Sequence, residues 1–183
     1  MDGRVMRVKK RFPRTIFPGI TLCLKNGEGV AATLLICCGI DCLSKYYSGD
    51  YSHRLNKSKY ISFLREYFSQ YSSPGDFYTF IRCGLVHGYN MERKYRILAS
   101  NQNWAQKLHM IYDPKHRTTI INPFVLHRQF KRAFENYIGD VLTDKALRDK
   151  FLKVYPHFSC EKQYFKSSKF DHLKGLITTG GRV

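Results

Sequence analysis

The sequence predicts a mainly α-helical bundle with a small β-hairpin inserted late in the chain. Three observations predict it. Residues 28–47 form one long apolar segment, and residues 60–71 repeat apolar side chains at helical spacing. Only around residues 107–122 does the pattern shorten to strand-like runs flanking a turn dipeptide.

The first 14 residues carry Arg4, Arg7, Lys9, Lys10, Arg11 and Arg14 against a single Asp2. This reads as a loose basic arm, residues 1–19, closed off by Pro13 and Pro18. The apolar segment that follows holds Leu34, Cys38, Ile40, Asp41 and Leu43, and its length argues for helix over buried strand. Its strongest run, "GVAATLLICCGI" (29–40), is shorter than the about 20 residues a bilayer helix needs. It ends at Asp41 and follows no signal-peptide pattern, so the expectation is a soluble, cytoplasmic protein with no membrane partner.

"YSGDYSH" breaks that helix. The next segment places Tyr60, Phe63, Leu64, Tyr67, Phe68 and Tyr71 at i, i+3, i+4, i+7, i+8 and i+11, one face of an amphipathic helix. Ser73-Pro74-Gly75-Asp76 ends it and starts a third helix, from Phe77 to about His87, with Asp76 as its N-cap. "KLHMIYDPKHRTTIIN" reads as two short strands joined around Asp113-Pro114. Asn122-Pro123 has the form of an N-cap followed by proline at the first helical position. Phe130, Phe134, Tyr137 and Val141 continue it as an apolar face. A last helix runs from Thr143 to Tyr155 and stops at Pro156. The organisation is one domain over 20–157 with a basic, Lys- and Ser-rich tail over 158–183 and no internal repeat.

Composition narrows the function. A chain of 183 residues, 43% hydrophobic and 15% aromatic, suits one compact core. Lys and Arg number 31 against 14 Asp and Glu, a net charge of +17 that favours a polyanionic partner, nucleic acid first. Cys23, Cys37, Cys38, Cys42, Cys83 and Cys160 form no C-x-x-C pair; four lie in or beside apolar segments, and the expectation is reduced, buried thiols. His53, His87, His109, His116, His127, His157 and His172 show no i, i+4 pairing, so no metal site is expected. Between Asp76 and Asp113 the only carboxylate is Glu92, too few for a two-metal nuclease. "KNGEGV" lacks the spacing and lysine of a phosphate loop, and no cofactor is expected.

The stretch "FIRCGLVHGYN" (80–90) carries the chemistry-bearing residues. Arg82 and His87 stand in the spacing R-x-x-x-x-H. In an α-helix five steps rotate by about 140°, so the pair does not stack on one face unless the helix ends there. Gly88 is what a helix C-terminus prefers beyond its last residue, and Gly84 lets another backbone approach closely. RNA can be cut without metal when its own 2′-hydroxyl attacks the adjacent phosphorus. A histidine can move the protons, and a guanidinium can hold the charge of the phosphorane. The alternative is a surface arginine beside a histidine that caps a helix.

The stretch resembles the signature of the HEPN superfamily, whose members carry R-x-x-x-x-H at the end of a bundle helix. "LLICCGIDCLSKYYSG" (34–49), "YISFLREYFSQY" and "IINPFVLHRQFKRAFENYI" are similar to the first, second and later helices of a bacterial HEPN group, a likeness over about residues 20–155. The resemblance implies a four-helix core with Arg82 and His87 catalytic. It also implies a homodimer in which two motifs face each other and form one ribonuclease site. That dimer would supply a second histidine and give Gly84 a partner backbone. "RCGLVHGY" also fits the extended R-x-x-x-x-H-x-Y form of HEPN toxins paired with a nucleotidyltransferase antitoxin, which makes Tyr89 the acceptor for adenylyl groups. Cys83 departs from the Asn, Asp or His common after the arginine, and a thiol holds Arg82 weakly.

Asp41, a carboxylate on an apolar helix, needs a cation or donor. Arg82 is one partner, and the N-terminus of a neighbouring helix is the other. The expected function is a metal-independent endoribonuclease acting as a toxin or phage-defence effector. The alternative is a catalytically silent HEPN-like module that binds RNA or nucleotide, or serves as a scaffold.

Overall fold

Seven α-helices, one π-helix and three short strands are present in the computed structural model, which describes residues 2–88, 91 and 94–158. The fold is mainly helical with a small sheet. Its axis is helix α2 (Gly29–Ser48), which α1 (Gly3–Lys25), α3 (Asn56–Tyr67), α6 (Pro123–Thr143), α7 (Lys145–Phe158) and the π-helix (Phe77–Gly88) all pack against.

Ala32, Ile36, Cys37, Ile40 and Leu43 of α2 are fully buried, which is why this helix is apolar nearly all round. Its bounds match the apolar segment read from the sequence, residues 28–47. At 20 residues it is long and apolar enough to cross a membrane, but 61% of its most apolar window is buried inside the fold. Gly39 lies against α6, where a Cβ would overlap the Phe130 ring. Gly49, at φ 72°, ends the helix in the left-handed conformation that glycine adopts without penalty.

The basic N-terminal segment is a helix rather than a loose arm. Asp2 accepts the Arg4 backbone N–H at 2.8 Å and caps α1, which runs through both Pro13 and Pro18. Each proline removes one helical hydrogen bond. The helix persists because Val5, Ile20 and Leu24 are buried and Val8, Phe12, Ile16 and Phe17 pack on the core between them. Phe12 stacks on Phe134 with centroids 4.9 Å apart, and Phe17 meets Phe130 edge-on at 5.7 Å. The expected boundary near residue 19 therefore falls inside α1, with core contacts on both sides of it.

The amphipathic reading of residues 60–71 holds for burial, with Tyr60, Phe63, Leu64, Phe68 and Tyr71 all buried. The helix itself stops at Tyr67, and Phe68 and Tyr71 reach the core from the following turn. A short helix, α4 (Pro74–Asp76), then leads directly into the π-helix. Asp76 is thus inside helical backbone and is not the N-cap, a position taken by Ser73.

The expected hairpin is present as β2 (Tyr112–Asp113) and β3 (Thr118–Ile121), antiparallel, with Tyr112 opposite Thr119. Asp113 Oδ1 accepts the backbone N–H of Lys115 at 3.0 Å, closing the turn. The hairpin is widened by β1 (Tyr95–Ile97), which pairs parallel to β3 and gives the order β1-β3-β2. Between β1 and β2 lies a short helix, α5 (Asn103–Lys107).

Asn122 caps α6 as expected, accepting from the N–H groups of Phe124 and Val125, with Pro123 at the first position. Its backbone N–H donates to His109 Nδ1 at 3.0 Å. His109 Nε2 therefore carries the proton and faces Tyr71 Oη at 3.0 Å and Gln129 Oε1 at 3.1 Å. This network ties the inserted sheet to the segment after α3 and to α6. Pro156 does not stop the last helix, which continues to Phe158. The tail beyond it lies outside the described residues.

Candidate functional site

The segment Phe77–Gly88 is wound as a π-helix, in which each hydrogen bond spans five residues instead of four. Phe77, Ile81 and Leu85 are buried and form its core face. The wider winding changes the relation between Arg82 and His87. Residues i and i+5 are the hydrogen-bonded pair of a π-helix, so the backbones of Arg82 and His87 stand about one turn apart. The α-helical spacing would have turned them away from each other. The mean hydrophobic pattern gives no sign of this, since apolar residues every fourth position satisfy either winding.

Arg82 is held from the opposite wall. Its Nη2 donates to Asp41 Oδ2 of α2 at 2.9 Å, a pair in which the side chains are 15% and 19% exposed. Of the two partners open to Asp41, the arginine is the one it takes. Burial opposes the charge on Arg82, but the hydrogen bond and attraction from Asp41 outweigh it, and the guanidinium pKa is raised. Asp41 Oδ1 is buried and has no hydrogen-bond partner. Arg82 Nη1 also approaches Cys83 Sγ at 3.8 Å, a long contact to a weak acceptor. The thiol contributes little to holding the arginine, and the carboxylate of another helix does it instead.

A third group was not anticipated. The Arg82 guanidinium lies over the Tyr78 ring, 5.5 Å from its centroid. Burial raises the Tyr78 hydroxyl pKa, and its neighbour Cys83, five residues on, adds to the rise. The signal available in the sequence was spacing alone: a tyrosine one turn before an arginine. The π-helix is further strapped at its start, where Lys94 pairs with Asp76 at 3.1 Å and sits 4.2 Å over the Phe80 ring.

His87 is exposed near the end of the π-helix, between the exposed Val86 and Gly88, while Cys83 and Gly84 are half-buried. Tyr89 lies outside the described residues. The site thus combines a cation fixed by two neighbours with an exposed imidazole five residues later on the same π-helix. Such a pair can bind an anionic group and move a proton beside it. Among the described residues no cluster of three or more His, Cys, Asp or Glu could hold a metal ion. Cys23, Cys37, Cys38, Cys42 and Cys83 are all free thiols, and Cys38 is exposed rather than buried.

No family model, no curated protein and no solved structure matches this chain.

Proposed function

We propose that the protein is a metal-independent RNA endoribonuclease of HEPN type, cytoplasmic and homodimeric, acting as a toxin or phage-defence effector. The observation that carries this reading is the i, i+5 spacing of Arg82 and His87 along one π-helix, with Arg82 fixed by Asp41. In the proposed reaction the RNA 2′-hydroxyl attacks the adjacent phosphorus. One His87 imidazole takes the hydroxyl proton while the leaving 5′-oxygen gains a proton from a second imidazole. Arg82 stabilises the extra negative charge of the phosphorane. The second imidazole is His87 of a second copy of this chain, and Gly84 allows the two motifs to come close. A nucleotidyltransferase antitoxin acting on Tyr89 would restrain the enzyme.

The test is cleavage of RNA by the purified protein in EDTA. Products ending in 2′,3′-cyclic phosphate are expected, with activity lost in His87→Ala and Arg82→Ala while the helical circular-dichroism signal is kept. Undiminished cleavage by either variant overturns the assignment. One observation favours a second reading, a catalytically silent RNA-binding or scaffold module: the Arg82 side chain is only 15% exposed and already engaged by Asp41. RNA bound but left intact by the wild type would support it.

A further inference from the structure

The insertion between the π-helix and α6 places two large rings in solvent. Trp104 of α5 is 58% exposed and Tyr112 of β2 is 56% exposed. Among the described residues, no other ring stacks on either of them. The indole N–H donates to Gln102 Oε1, so what Trp104 offers a partner is its ring rather than its donor. Its helix is also fixed in place. Ala105 is fully buried, and Gln106 donates to the Asn101 carbonyl at 2.6 Å and accepts from Arg128 of α6 at 2.7 Å.

Cations accompany both rings. Lys107 follows Trp104 at i+3 on α5, and Tyr112 opens a hairpin whose turn exposes Lys115, His116 and Arg117. From Tyr95 to Ile121 the only carboxylate is Asp113, and it is held by His116 at 2.6 Å. Among the described residues Lys107, Lys115 and Arg117 have no acidic partner. The link between the rings is wound into turns, His109 N–H donating to the Gln106 carbonyl at 3.2 Å and Ile111 N–H to that of Leu108 at 3.0 Å. At about 1.5–2 Å per residue, such winding keeps the backbones of Trp104 and Tyr112 on the order of 15 Å apart. The insertion is anchored to the helix that carries the candidate site, since the Tyr95 ring meets Phe80 of the π-helix at 6.4 Å.

We propose that Trp104 and Tyr112 form a stacking platform for unpaired bases of the RNA substrate, with Lys107, Lys115 and Arg117 holding its phosphates. The choice of RNA as occupant rests on the ribonuclease reading. Exposed rings interleaved with cations suit a single strand, because every base has a face to stack and every nucleotide brings a negative charge. A span on the order of 15 Å covers about four stacked nucleotides at about 3.4 Å each. A duplex hides its base faces, so the platform selects unpaired RNA. An anionic membrane offers similar charge, but interfacial helices bind lipid by burying a continuous apolar face. α5 has only five residues, and its Ala105 is already buried in the fold.

Trp104 is the one tryptophan of the chain, so its emission reports on the platform without any substitution there. The experiment titrates the His87→Ala protein, which leaves the strand intact, with an oligouridylate and follows tryptophan fluorescence. Stacking should quench the emission, whereas polyphosphate, which has charge but no bases, should bind without quenching. By anisotropy of a labelled strand, Trp104→Ala and Tyr112→Ala should each weaken binding by about 5- to 150-fold and leave its salt dependence unchanged. Trp104→Phe and Tyr112→Phe should retain most of it. Lys107→Gln, Lys115→Gln and Arg117→Gln together should flatten the slope of log K against log salt by about 2, at about 0.7 per phosphate.

Unquenched emission in the presence of bound RNA overturns the proposal, as does parent-like binding by the alanine variants or no binding by the parent. Equal quenching by polyphosphate overturns base stacking. Quenching by phosphatidylserine vesicles but not by the oligouridylate overturns the proposal in favour of a membrane. The nuclease reading fails separately. An oligouridylate that quenches Trp104 yet is never cut by the His87-intact protein leaves the platform standing. RNA cut at the wild-type rate by the double variant Trp104→Ala, Tyr112→Ala overturns the platform and leaves the nuclease.

Discussion

Arg82 of the π-helix and Asp41 of α2 are 41 residues apart in sequence and joined by a 2.9 Å ion pair at the edge of the core. The pair fixes the guanidinium before any ligand arrives, which is what a charge-stabilising group requires. It also joins the candidate site to the most buried helix of the fold.

In the proposed reaction Asp41 acts as a positioning residue for Arg82. Asp41→Asn should keep the shape but release Arg82, lowering RNA cleavage by about 10- to 100-fold. Asp41→Ala should cost about 1–3 kcal/mol of stability as well, because it leaves a partly buried cation without its partner. Single-turnover cleavage and thermal melting separate the two effects. A purely structural pair would lower the melting temperature in Asp41→Asn without changing the rate of the folded protein.

The proposed dimer places Gly84 at a two-fold contact, using one self-complementary patch twice. Gly84→Leu should then separate the two copies and reduce cleavage before it reduces stability. If Gly84 packs only within its own chain, the same change should mainly lower the melting temperature. Sedimentation velocity on both proteins decides, and a fully active wild-type monomer rules out a composite site.

The proposed toxin–antitoxin reading makes Tyr89, two residues after His87, the acceptor of an adenylyl group. Co-expression with a cognate nucleotidyltransferase should add adenylyl mass to the peptide that contains Tyr89, and Tyr89→Phe should abolish the addition. Mass spectrometry that maps the group elsewhere counts against the toxin–antitoxin pairing.

His109 should make stability sensitive to acid. Burial lowers its pKa to about 4, with Gln129 opposing and Arg128 adding to the effect, so the native ring is neutral at physiological pH. His127 is lowered to about 4 by burial and by Lys131 and Arg128. The unfolded chain binds protons at these rings near pH 6.5, before the native state does. Their stabilising contribution is therefore full above that pH and is lost as pH falls towards 4. For His109 the expected loss is on the order of 2 kcal/mol. Denaturant titrations across that window should show it, and His109→Asn should flatten part of the slope. An unchanged slope in that variant would place the acid sensitivity at other groups.

Several elements were decided by local sequence. The periodic apolar face of residues 60–71, the Asn122-Pro123 cap and the Asp113-Pro114 turn are each specified by residues within a few positions of one another. Local rules govern them because caps and turns satisfy their own backbone groups. The spacing of Arg82 and His87 was equally plain, as was the need of Asp41 for a partner.

The rest required the tertiary structure. Six cations and two prolines made residues 1–19 look like an arm, yet Val5, Val8, Phe12, Ile16 and Ile20 repeat at helical spacing through them. Their burial on α2 and α6 offsets hydrogen bonds that no isolated peptide would give up. The same holds for the π-helix, whose winding nothing in residues 77–88 announces. Which partner Asp41 takes, and therefore whether Arg82 is held at all, depends on how α2 and the π-helix meet. Contacts between residues 41 positions apart exist only once the core that brings them together has formed.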